Sequence, residues 1–217
     1  MDAVVIGTCV ALVLAGALIV VRDGQPVLVE RSWPSYVVRL LAAGLVGGAL
    51  ATGAGGRLVM RLLALTSPES KGALTEAQAR IGEITAGGTL GFFVFVGLPA
   101  GVLCAGLFAV ARPALPRGRL GGAVLGLVLL ILAGSVVDPL RSENFDFALV
   151  GPDWLAVIAF VSLAIFQGLV VRSLALRAGV AHARPRLAVV GAGAVALATL
   201  VALPGFVVAV GHIVTSG

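Results

Sequence analysis

The sequence predicts an all-α polytopic membrane protein: a six-transmembrane-helix bundle with both termini outside (N-out/C-out). Three observations carry this reading. Apolar residues make up 59% of the chain and charged residues only 12%, against roughly a quarter charged in soluble domains. The apolar residues come in successive runs of about eighteen or more, the length that crosses a bilayer. The basic residues fall unevenly on alternate sides of those runs, as membrane orientation requires. With a mean hydropathy of +1.13, no stretch is long and polar enough for a soluble domain, so residues 1–217 read as one membrane domain.

The first span covers 3–21. Its acidic start, Met1-Asp2, and the lack of a small-residue cleavage motif before Arg22-Asp23 mark it as a retained span and not a secretory signal. The second covers 38–60, with Trp33 and Tyr36 at its inner interface. The third covers 86–111 and holds Pro99. The prolines of Arg112-Pro113 and Pro116-Arg117 end it, since proline cannot continue a helix interior. The fourth covers 120–137. The fifth covers 154–171, with Trp154 at the outer interface and Gln167 read as an interhelical hydrogen-bonding group. The sixth covers 187–212 and holds Pro204. Loops on the outer side are expected at about 61–85 and 138–153.

Small residues recur every four positions: Gly44, Gly48, Thr52 and Gly56; Gly97, Gly101 and Ala105; Gly122 and Gly126. Such stripes are flat faces on which another helix lies closely. Packing within the chain is the first reading. The alternative is a homo-oligomer or membrane partner seated on the Gly44/Gly48/Gly56 and Gly97/Gly101 faces. Cys9 and Cys104 lie inside apolar runs and read as small buried hydrophobes.

Orientation follows from the basic residues. Arg22, Arg31, Arg39, Arg112, Arg117, Arg119, Arg172, Arg177, Arg184 and Arg186 fall on one side; Arg57, Arg61, Lys71, Arg80 and Arg141 on the other. The positive-inside rule places the first group in the cytoplasm and both termini outside. This also explains the net charge of +5 without a nucleic-acid partner. The bilayer is the partner expected, at the cell (plasma) membrane. Arginine in place of lysine, with abundant Ala, Gly, Val and Leu, suggests a high-GC bacterium.

Most familiar chemistry is absent from the sequence. His182 and His212 form no metal-binding spacing, no nucleophile elbow or phosphate-binding loop occurs, and no carboxylate sits at mid-membrane depth. Neither a cofactor nor a metal is expected.

What remains is a charged layer on the outer side. Arg57 and Arg61 share one helical face at i, i+4. Thr75-Glu76-Ala77-Gln78 reads as a capping box opening a helix that carries Arg80 and Glu83 at i, i+3. The second outer loop supplies Asp138, Arg141, Glu143 and Asp146. The arginines are expected to meet carboxylates from Glu83, Asp138, Glu143 or Asp146. The layer is then either a structural ion-pair clasp or a pocket for an anionic group such as a lipid phosphate; a calcium site at Asp138, Glu143 and Asp146 matches no EF-hand loop spacing. The leading expectation is a non-enzymatic scaffold or partner subunit of a cell-envelope complex. Two alternatives stand beside it. One is a small-solute or lipid transporter with Pro-kinked helices at Pro99 and Pro204. The other is an envelope enzyme acting on an anionic lipid-linked substrate.

Overall fold

The computed structural model describes residues 2–22, 33–75, 80–134, 150–179 and 185–216. Among them the chain is all-helical. We number the helices α1 Asp2–Val21, α2 Trp33–Thr66, α3 Ala86–Ala114, α4 Arg119–Gly134, α5 Asp153–Arg177 and α6 Pro185–Ser216. Five of these, all but α4, are long and apolar enough to cross a membrane. The described part of α4 is shorter, Arg119–Gly134, or about 24 Å at 1.5 Å per residue. The fourth predicted span extends to 137, and its last residues lie outside the described part.

α2 departs most from expectation, beginning five residues earlier and ending six later. Arg39 sits inside it and donates from Nη1 to the Ala178 carbonyl at the end of α5, 2.9 Å away. The helix stops at Thr66 because Ser67 precedes Pro68 and takes a non-helical φ of −132°. Arg61 therefore lies in a helix, and the first loop starts at Ser67.

Successive helices run in opposite directions. Gly44 and Gly48 of α2 face Gly101 and Gly97 of α3; Gly122 and Gly126 of α4 face Leu169 and Ala164 of α5. Gly191 meets Val110 at one end of the bundle, while Ile213 packs with Leu130 at the other. The first residues of α1 and the last of α6 thus share one end of the bundle. The described side chains there include Glu69, Glu83 and Asp153. At the opposite end stand Arg22, Arg39, Arg112, Arg117, Arg119, Arg172 and Arg177, with no described acid among them. We call these the acidic and basic ends.

The stripes close inside the chain. A Cβ added at Gly48 would press on the Gly97 carbonyl, and one at Gly101 would meet the Gly44 carbonyl and come within 2.7 Å of Gly48 Cα. Gly56 lies under Phe92, 2.8 Å from an added Cβ. The faces offered to a homo-oligomer are therefore occupied by this chain's own helices. Around them Ala43, Cys104, Ala105, Phe108, Leu125, Val171 and Ala175 form the main core. Cys9 and Cys104 are both buried and free.

Three helices widen into π-helical turns: α2 at Ala49–Gly53, α3 at Phe93–Gly97 and α4 at Leu130–Gly134. The α3 turn ends two residues before Pro99, whose ring would collide with the carbonyl four residues back in a regular helix; a wider turn moves that carbonyl away. Pro204 instead lies inside an unbroken α-helix. The two prolines do not mark equivalent interruptions.

Candidate functional site

The acidic end of α2 carries the two arginines singled out by sequence, and they differ. Arg61 Nη1 donates to the Gly82 carbonyl at 2.6 Å. That carbonyl is presented by a turn in which Gly82 has φ +86°, a conformation that glycine adopts without a Cβ clash. Ile81 and Ile84 are buried and anchor the turn, while Ile81 N–H donates to Ala73 O at 2.9 Å and Gly72 N–H to Ile81 O at 3.0 Å. Leu74 and Arg80 pair as an antiparallel bridge.

This overturns the helix expected to carry Arg80 and Glu83, while the capping box beyond Thr75 falls on residues outside the described part. Residues 76–79 lie outside the described part, but Arg80 is extended and bridged, so Arg80 and Glu83 are not neighbours on a helical face. The cap that forms is Thr85, whose Oγ1 accepts from Gly88 N–H at 3.1 Å. Two buried isoleucines and two left-handed glycines hold residues 80–84 in a turn and not a helix.

Arg57 lies nine residues before the end of α2, about 14 Å deeper along the helix. It is half-buried. Its guanidinium stands over the Phe92 ring, 6.0 Å from the centroid, and Nη1 approaches Met60 Sδ at 3.8 Å. Nε is buried and has no hydrogen-bond partner. On the α3 side Thr89, one turn from Phe92, has a buried hydroxyl that also lacks a partner.

Arg57 and Arg61 therefore do not end on Glu83, which is exposed, and Arg80 is exposed too. Asp138, Arg141, Glu143 and Asp146 lie outside the described residues. The second loop is tied down just after them. Ser67 Oγ donates to Gly151 O and accepts from Gly151 N–H, both at 2.9 Å, and Thr66 Oγ1 donates to the same carbonyl at 2.7 Å. This clasp was not foreseen, although a serine before Pro68 at a helix end was visible in the sequence.

Deeper in the bundle Gln167 is fully buried. Its Oε1 accepts from Thr52 N–H at 3.1 Å and from Thr52 Oγ1 at 3.0 Å, and its Nε2 has no partner. The interhelical role read for Gln167 is the one it plays. Among the described residues, no cluster of His, Cys, Asp and Glu is placed to hold a metal. No family model, no curated protein and no solved structure matches the chain.

Proposed function

We propose that the chain is a six-span protein of the bacterial plasma membrane, with both termini outside, that recognises an anionic group at the outer leaflet through Arg57. The group is the phosphate of a lipid headgroup or of a lipid-linked molecule. One observation carries the reading: a half-buried guanidinium in an apolar helix, resting on Phe92, has a buried Nε with no acceptor among the described residues. A charge at that depth is costly unless paired. Guanidinium is the side chain that best matches a phosphate, through two parallel hydrogen bonds. Arg61 is already committed to the Gly82 carbonyl.

The test is titration of the purified protein, in a non-ionic detergent, with dioctanoyl phosphatidic acid and with dioctanoylglycerol as the uncharged control. Saturable binding of the acid alone is expected. Arg57→Gln should weaken it roughly ten- to a hundredfold, the worth of a charge-assisted hydrogen bond. Equal affinity in the parent and Arg57→Gln would end the reading.

A second reading, the scaffold or partner subunit, draws on the clasp of Ser67 with Gly151 and of Arg61 with Gly82, which holds loop surfaces rigid at one end. It predicts a co-purifying envelope protein in mild detergent. A lone monomer in every preparation would count against it.

A further inference from the structure

Arg57 owes its place to an irregularity five residues long. Toward the basic end, Gly44 and Gly48 of α2 face α3. Beyond the π-helical turn the contact passes to Gly53, where an added Cβ would lie 3.0 Å from the Phe93 ring, and then to Gly56 and Arg57 at Phe92. The α3-facing positions run 44, 48, 53, a step of four followed by a step of five, and past the turn Phe92 meets both Gly56 and Arg57. In an uninterrupted α-helix the steps of four would continue through 52 to 56, centring Gly56 on the face with Arg57 about 100° to one side; the extra residue turns the helix so that Gly56 and Arg57 share the Phe92 ring between them. The residue added by Ala49–Gly53 sets the guanidinium over Phe92.

That turn has a visible holder. Gln167 Oε1 takes both the backbone N–H and the hydroxyl of Thr52, so a side chain from α5 is inserted into the hydrogen-bond ladder of α2. The arrangement strands Gln167 Nε2 in a fully buried position, which an apolar side chain of similar size would not do. The carbonyl is the half of the amide in use.

We infer that Gln167 is a positioning residue for Arg57: by holding the Thr52 amide it keeps α2 in the π-helical turn whose extra residue places Arg57 on the α3 face. The consequence for ligand binding rests on the anion-recognition reading above; the geometric claim does not.

The test needs no ligand. Cysteines replace Arg57 and Phe92 in a chain lacking Cys9 and Cys104, and a short bifunctional thiol reagent reports whether the two positions face each other. The crosslink is expected in this parent and lost in Gln167→Leu. It should return when Thr52 is also deleted, because removing one residue restores the spacing from 48 to 53 to four in a plain α-helix. A general structural role for Gln167 predicts no such rescue. A crosslink that persists in Gln167→Leu, or a deletion that fails to restore it, overturns the inference. Should Gln167→Leu not accumulate, deletion of Thr52 alone decides: the crosslink must survive, and its loss overturns the claim. In chains that keep Arg57, phosphatidic acid affinity should follow the crosslink, lost in Gln167→Leu and regained with the deletion. If the unmodified chain binds no phosphatidic acid while the crosslinks behave as stated, only the anion reading fails.

Discussion

Arg57 and Arg61 carry the same charge four residues apart, yet their surroundings give them separate roles. Arg61 reaches a loop carbonyl and closes a contact; Arg57 reaches an aromatic face and leaves Nε open. Arg61→Ala should therefore lower thermal stability, by about 1–2 kcal/mol for a charged hydrogen bond lost at a half-buried site. Arg57→Ala should change stability far less and binding far more. Ser67 makes the sharper case. Its side chain is buried and serves both polar groups of Gly151, so Ser67→Ala strands the Gly151 N–H and leaves the carbonyl to Thr66 Oγ1 alone. A loss of about 1–3 kcal/mol is expected, read as a fall in melting temperature. An unchanged value would mean that the loop is held elsewhere. The sequence made the two arginines conspicuous because charge stands out in an apolar run. It did not show which carbonyl or ring each would meet, since those contacts join residues far apart in the chain.

Helix contacts were more legible, because small residues four apart already describe a surface. Gly44, Gly48, Gly97 and Gly101 close on one another as such stripes should, and Gly122 and Gly126 do the same against α5. The stripe fails at a single point. Thr52 falls in the stripe with Gly44, Gly48 and Gly56, but the π-helical turn hands its place against α3 to Gly53 and turns Thr52 to Gln167. A register error of one residue cannot be read from the stripe, since the side chain that causes it lies on another helix. The same logic predicts unequal glycines within α3. A Cβ at Gly101 meets backbone on two sides, whereas one at Gly106 meets nothing within 4 Å. Gly101→Ala should cost about 1–3 kcal/mol or more through overpacking and reduce the yield of folded protein. Gly106→Ala should leave the melting temperature unchanged or slightly higher, alanine being the better helix former. Equal effects at the two sites would contradict the close approach of α2 and α3.

At the scale of the molecule, charge and helix direction argue for the same arrangement. Alternating directions bring the start of α1 and the end of α6 to one end of the bundle, and seven of the described arginines gather at the other. Several of those arginines cap helix ends: Arg177 Nη2 donates to Ile19 O at 2.6 Å and Arg119 Nη2 to Val21 O at 3.2 Å. A guanidinium at a helix C-terminus satisfies free carbonyls and opposes the dipole, so the basic end is built into the fold as well as marking orientation. Moving it across a membrane would carry seven described charges through hydrocarbon, each at a cost of a few kcal/mol. The basic end should face the cytoplasm and both termini the outside. Single cysteines at Ala3, Thr215 and Arg117, all exposed positions, test this in a chain whose buried Cys9 and Cys104 are replaced. On intact cells a membrane-impermeant thiol reagent should label the first two, and Arg117→Cys only after permeabilisation. The reverse pattern would invert the orientation while preserving the alternation of helices. Labelling of Ala3→Cys without Thr215→Cys would show an odd number of crossings and overturn the six-span arrangement.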